Sequence, residues 1–383
     1  MENLELEVAI KELNAHVTPL KMTKTVPLIK ALHHHLAVDI YAPINVPSFN
    51  RSAMDGYAVK ASQTKSATKA TPVKMKAIRV MTGASIPDGF DAVIRQEDTN
   101  YGNDEVEIYT EVKPYTNYIK IGEDIEEGQL MITRTTRLIP VHLGILASLG
   151  ISEVKVFQPL KVGIISSGSE LAQINQKLKQ GQIYNSNAFV LAARLRELNV
   201  DVVFMKQAID DAGQVSGLIR QLIAEIDMLM TTGGVSVGIT DIMHDVIKEL
   251  AAKRLFWRVN MRPGTPVLAS IYQHKPILSL SGNPFAALTT FELLFRPMLS
   301  AFMQTEDYLC KRRKAILMDD FTKASPRRRF VRAYYEAGQV FLTTSAHASS
   351  VLSSMTRCNC LIDIKAQTPK LEKGSEVQVV VLD

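Results

Sequence analysis

Cysteine is scarce: Cys310, Cys358 and Cys360 are the only three in 383 residues, too few for a disulfide framework. The lone Cys-x-Cys also lacks the second ligand pair of a zinc site, so these read as reduced structural thiols. No apolar run reaches the roughly 18 residues that cross a bilayer, and the opening Met1-Glu2-Asn3-Leu4-Glu5 is acidic where a signal peptide is basic. A cytoplasmic protein with no membrane role is expected. Neither sign of charge dominates, since 44 Lys and Arg against 39 Asp and Glu leave +5. The basic runs Lys311 to Lys314 and Arg327 to Arg329 lack interleaved aromatics, which argues against nucleic acid and for a solvated linker or strand edge. A mild positive bias suits an anionic small substrate. No Gly-x-Gly-x-x-Gly follows a strand pattern and no Gly-Lys-Ser/Thr closes a glycine loop, so nicotinamide-dehydrogenase and P-loop signatures are missing. His33-His34-His35 would point about 100° apart on a helix and cannot share one ion, which makes a partly exposed helix end the better reading.

Three loops of small residues stand out. Asp227 to Thr232 is an apolar strand running into Gly233-Gly234-Val235-Ser236-Val237-Gly238, with a helical pattern starting near Thr240 and a carboxylate, Asp241, just inside it. Glycines there let backbone N–H groups approach an anion, and the helix aims its positive end at the same place. Ser281-Gly282-Asn283-Pro284 follows the strand Pro276 to Leu280, with Asn283 a good N-cap and Pro284 suited to the first helical turn. Ser166-Ser167-Gly168-Ser169-Glu170 follows a third strand. Three strand, loop, helix units predict a parallel sheet with its ligand at the carboxyl ends of the strands. Glu170, Asp210 and Asp241 follow three strand ends and would share one rim as metal-ligand candidates. For Asp210 the neighbour Asp211 competes, and helix capping would account for either.

A chain of this length predicts two or more domains. Leu4 to Leu13 and Val26 to Leu36 show helical periodicity; short β-like runs follow from Val46, and Val141 to Leu149 is helical again, closed by Gly150. From Leu160 the texture is βα, with strands near Val162 to Ser166, Val200 to Met205, Met228 to Thr232 and Pro276 to Leu280. Arg329 to Tyr335, Val340 to Thr344, Cys360 to Ile364 and Val377 to Leu382 then predict a small barrel or sandwich.

Val46-Pro47-Ser48-Phe49-Asn50-Arg51-Ser52-Ala53-Met54-Asp55-Gly56-Tyr57-Ala58-Val59 is the most specific stretch. With Met81-Thr82-Gly83-Ala84, Gly122-Glu123-Asp124-Ile125, Gly181-Gln182-Ile183 and the Gly233 to Gly238 loop, it resembles the molybdopterin molybdenumtransferases, relatives of the carboxyl-terminal domain of gephyrin. The resemblance spans essentially the whole chain. It implies a multidomain α/β protein: a split helical domain (1–45 and 131–158), a mostly-β module (46–130), a flavodoxin-like α/β molybdopterin-binding domain (159–302) and a C-terminal β-barrel (303–383). It further implies a homodimer with its active site at the subunit interface, and a molybdopterin adenylyltransferase as a partner. The reaction implied is insertion of molybdate into adenylylated molybdopterin with Mg²⁺-dependent release of AMP. On this reading Asp55, Thr82 and Asp124 serve the chemistry. Gly233, Gly234, Ser236, Gly238, Arg262, Gly282, Asn283 and Pro284 bind substrate, and Glu170, Asp210 and Asp241 hold the metal.

The chain departs from the family pattern at its loops. Lys-Pro-Gly-Lys-Pro is here Arg262-Pro263-Gly264-Thr265-Pro266, so one cation becomes a guanidinium and one is lost. Ser281 stands for a proline, Ala286 for a serine, and Ser169 and Asn185 for aspartates. The alternative these losses raise is a diverged, non-catalytic paralogue that binds molybdopterin or a partner protein.

Overall fold

Strands Lys161–Ser167, Asp201–Ala208, Met228–Thr232 and Lys275–Leu280 lie side by side and parallel, each followed by a loop and a helix. All but Asp201–Ala208, which lies at the sheet edge and is mostly half-buried, have almost continuously buried interiors, the pattern of a parallel sheet covered on both faces. The computed structural model describes residues 1–235, 242–324, 326–343 and 348–382. The chain divides into two compact units, Thr23–Val156 and a unit made of Met1–Met22 with the residues from Phe157 onward.

In the larger unit the sheet has seven strands, three of them unforeseen from sequence: Glu2–Leu4, Lys253–Val259 and Val267–Tyr272. Val267–Tyr272 runs antiparallel to both neighbours, so the sheet is mixed on that side. Helix Ala212–Leu222 is amphipathic, burying Val215 and Ile219 four residues apart. Its N-cap Asp211 accepts a hydrogen bond from the Gln214 amide at 2.7 Å. Val215 and Ile219 join Leu229, Met243 and Val246 in the core on that side.

A helical run from Pro284 to Met303 crosses this unit with a π-helical turn at Phe291–Phe295. It is long and apolar enough to span a bilayer by composition, yet 78% of its most apolar window is buried inside the protein. Within it Glu292, 2% exposed, meets Arg194 at 2.8 Å and Arg296 at 3.3 Å. Strands Arg312–Leu317, Arg328–Glu336, Gln339–Leu342, Cys360–Ile364 and Glu376–Val381 close into a five-stranded barrel. The short strand Met261–Arg262 pairs with Arg328 and Arg329, tying the connection between Lys253–Val259 and Val267–Tyr272 to the barrel.

Several expectations are corrected. Helix Leu6–Asn14 forms, but Met1–Met22 belongs with the α/β sheet, where the Asn260 amide donates to Leu4 and the Trp257 amide to Met1. No helix forms over Val26 to Leu36: Thr23–Pro27 is a strand paired with Glu153–Phe157, Leu28–Lys30 is a single 3-10 turn, and His33 takes left-handed backbone that a helix cannot hold. His33 to His35 are therefore not a helix end; His33 has φ 67° and His35 is buried. The basic run at Arg327 to Arg329 is not solvated either, since Arg328 pairs with Asp363 and Glu7 at 2.6 Å each.

In the smaller unit strand Gly56–Val59 is central, flanked by Ile78–Val80 and Ala92–Arg95. A Cβ on Gly56 would lie 1.9 Å from the Ile94 carbonyl oxygen, so the strand pairs this closely only because the residue after Asp55 is glycine. Helix Pro140–Ser148 covers a second small core with Leu36, Leu138 and Val156, and Gly150, φ 73°, ends it.

Candidate active site

Register brings the loops together. Ser166 lies beside Thr232 and Thr232 beside Leu280, while Ser167 lies beside Ala208, so the four loops that follow emerge along one rim. They line a cleft of about 600 Å³ that includes Ser167, Gly168, Glu170, Asp210, Gly233, Gly234, Gly282, Asn283 and Pro284. Gly233 and Gly234 have φ of 90° and 63°, and a Cβ on Gly233 would lie 2.1 Å from the Ser167 carbonyl oxygen. No side chain fits there, so the backbone itself faces the cleft. Buried Ser167 Oγ has no partner among the described residues, which leaves a hydroxyl to offer a ligand.

Two acids were rivals in sequence, and geometry separates them. Asp211 caps its helix; Asp210 turns into the cleft, where Oδ2 accepts from the Ser169 amide at 3.1 Å and its hydroxyl at 3.4 Å. Asn185 caps helix Ser186–Glu197 by accepting from the Ala188 amide. Asn283 occupies the N-cap position but makes no capping hydrogen bond with its side chain, against expectation. Buried Asn187, unremarked in the sequence, donates to the Gly282 carbonyl at 2.8 Å and holds that loop. Ser236, Gly238 and Asp241 lie outside the described residues, as does the expected helix start at Thr240; the described helix is Met243–Glu249.

A second cleft, about 710 Å³, adjoins the first and shares Pro266, Ser281 and Asn283 with it. Arg262, Lys323, Arg329 and Arg332 line it, and among the described residues no Asp or Glu does. Arg332 is fully buried against the Phe285 ring at 3.9 Å, with hydrogen bonds to Ala348, Val351 and Ser354. Of these four cations the sequence points to Arg262 alone as a site residue. Lys323, Arg329 and Arg332 come from the barrel, and spacing along the chain gives no sign of their approach.

The smaller unit gathers the other motifs along residues 46–56. The Ser52 amide donates to Ala84 and Gly83 donates to Ser52, while the Gly122 amide donates to Pro47 and that of Asp124 to Val46. Asp55 and Thr82 meet directly: Thr82 donates its amide at 2.7 Å and its hydroxyl at 2.8 Å to Asp55 Oδ1. These bonds, the amide's foremost, hold the Asp55 carboxyl below the usual range. Asp124 sits at the other end of the same segment, without a hydrogen bond to either.

Residues 4–150 match the MoeA N-terminal region (domain I and II), residues 163–301 a probable molybdopterin binding domain, and residues 314–382 the MoeA C-terminal region (domain IV). The molybdopterin molybdenumtransferase of Haemophilus influenzae is 33% identical over 378 residues, covering 93% of each chain. This chain belongs to the molybdopterin molybdenumtransferase family. A second member, from Bacillus subtilis, is 33% identical over 388 residues, covering 94% of this chain and 90% of its own. The crystal structure of a molybdopterin biosynthesis MoeA protein from Pyrococcus horikoshii matches with a TM-score of 0.88 at 30% identity, covering 100% of this chain and 99% of that one. The family is one of transferases in molybdenum cofactor biosynthesis, and the mixed α/β sheet and closed barrel agree with it.

Proposed function

We propose that the chain inserts molybdate into adenylylated molybdopterin and releases AMP, working as a cytoplasmic homodimer fed by a molybdopterin adenylyltransferase. The observation that carries this reading is the convergence of three small-residue loops on one cleft that joins a second, cationic one. The first suits the phosphates of an adenylylated pterin: Gly233 and Gly234 offer backbone, Ser167 a hydroxyl without a partner among the described residues, and the Gly282-Asn283-Pro284 loop closes one side. The second suits a small oxyanion, because among the described residues its walls carry four cations and no carboxylate.

Mg²⁺ fits the first cleft. Among the described residues no three His, Cys, Asp or Glu gather into a metal cage, but Mg²⁺ takes one or two carboxylates and completes its shell with phosphate and water. Glu170 and Asp210 are those two carboxylates, and Ser169 holds Asp210 in place with two hydrogen bonds. When bound, the cation neutralises charge on the phosphates as AMP leaves. Asp241, outside the described residues, is assigned to the same ion by its place in the sequence after the Gly233 to Gly238 loop. Asp55, ionised and oriented by Thr82, is suited to hold or move a proton, and Asp124 is kept on the same segment.

The test supplies adenylylated molybdopterin, Mg²⁺ and molybdate and follows AMP release together with metal insertion. Asp55→Ala is expected to abolish both while the fold survives. A wild-type chain that releases no AMP under any metal condition would refute the reading.

A further inference from the structure

Thr265 stands where the family pattern has a lysine, and its hydroxyl is not offered to a ligand: it donates to the Met261 carbonyl within its own loop. The neighbouring cation is not alone, however. Strand Met261–Arg262 runs parallel to Arg328–Glu336 with Arg262 opposite Arg329, and both guanidinium groups line the second cleft. Neither makes an ion pair among the described residues, although Arg328 and Arg312 nearby both pair with Asp363 and Arg328 also with Glu7. Burial, and then the charge of Arg262, hold the Arg329 guanidinium below its usual range. Two like charges set side by side without a counter-charge are costly unless an anion joins them. On the same wall, fully buried Arg332 keeps Nε without a partner among the described residues.

We propose that Arg329 replaces the charge missing at Thr265: with Arg262 it clamps the tetrahedral oxyanion substrate, and it sets the affinity for molybdate. This rests on the insertion reaction proposed above. A guanidinium presents paired donors, which suits oxyanion oxygens better than a single ammonium, so the site is rebuilt from the barrel side of the cleft.

The experiment compares wild type, Arg329→Gln, Arg329→Lys and the double variant Arg329→Gln/Thr265→Lys. Calorimetry gives the Kd for molybdate alone, and AMP release at saturating adenylylated molybdopterin gives its KM and kcat. Arg329→Gln should raise both Kd and KM about 10- to 100-fold, the size of one charge-assisted contact, with kcat at saturating molybdate unchanged. Arg329→Lys should fall between, and the double variant, which returns the lysine, should recover most of the affinity. Affinity for the adenylylated pterin should not move, which a general loss of fold would not allow. If Arg329→Gln turns over with wild-type Kd and KM for molybdate, the proposal is wrong and the insertion reaction stands. If the wild type neither binds molybdate nor releases AMP, the insertion reading fails and takes this proposal with it.

Discussion

Thr82 gives two hydrogen bonds to one oxygen of Asp55, and they come from different sources: the amide at 2.7 Å and the hydroxyl at 2.8 Å, both to Oδ1. Only the second depends on the side chain. Thr82→Val keeps the amide and removes the hydroxyl, so the ionised form of Asp55 loses one of its donors and its pKa must rise. If ionised Asp55 is required for cleavage, the acid limb of the kcat profile should move to higher pH. A pH–rate series on the two proteins checks this. An unshifted acid limb with reduced kcat would mean that Thr82 acts on geometry alone.

Gly233 and Gly282 line the same cleft but differ in what a methyl group would meet. At Gly233 a Cβ would lie 2.1 Å from the Ser167 carbonyl oxygen, on a residue with φ 90°; at Gly282 the nearest atom is 3.6 Å away. Gly233→Ala should therefore cost at least about 2 kcal/mol of stability and abolish AMP binding. Gly282→Ala should fold within about 1 kcal/mol of wild type. Denaturant unfolding and AMP calorimetry on both variants provide the measurement, and equal stabilities would contradict the steric argument.

The loops were legible because their chemistry is local. An apolar run ending in small residues marks a strand, and the proline of Asn283-Pro284 marks a helix start. What escaped the sequence depends on partners far along the chain. Arg329 reads as part of a charged run and becomes a cleft residue only because Met261–Arg262 pairs with its strand. Asp210 and Asp211 are indistinguishable by type, and the Gln214 amide and Ser169 sort them. Lys253–Val259 mixes charged, aromatic and aliphatic residues and shows no clean period, yet it pairs with Glu2–Leu4 and Val267–Tyr272. Over Val26 to Leu36 the apolar spacing suits a helix, and what breaks it, the left-handed turn at His33, leaves no mark in that spacing.

Glu292 holds two arginines inside the larger unit. With the carboxylate 2% exposed, Arg194 at 2.8 Å and Arg296 at 3.3 Å rely on it for charge balance, and Arg296 also donates to the Tyr308 carbonyl at 2.6 Å. Glu292→Ala removes the buried carboxylate from Arg296 and leaves Arg194 leaning on exposed Glu197, and a loss of about 3–5 kcal/mol is expected. Arg194 has a second partner, Glu197, whose side chain is 63% exposed, so Glu197→Ala should cost less than about 1 kcal/mol. Denaturant midpoints at unchanged slope would report the difference. Similar losses for the two variants would show that burial does not set the value of these pairs.

The cysteines are the last group whose role can be tested. Burial pushes the thiols of Cys310 and Cys360 up to about 12, and Cys360 Sγ is spent on a hydrogen bond to the Ala333 carbonyl. At about pH 8 only about one part in ten thousand of each would be thiolate, the form that reacts with disulfide reagents. Cys358 is raised as well, chiefly by burial, and donates to the Ser354 carbonyl. The native protein should therefore react slowly with such a reagent and release all three thiols only in denaturant, at a rate set by unfolding. Ligands that bind the folded state should slow that reaction further, since they lower the population of the open form. Fast labelling of Cys310 or Cys360 in the native protein would break the link between burial and inertness and reopen a redox or metal role for these thiols.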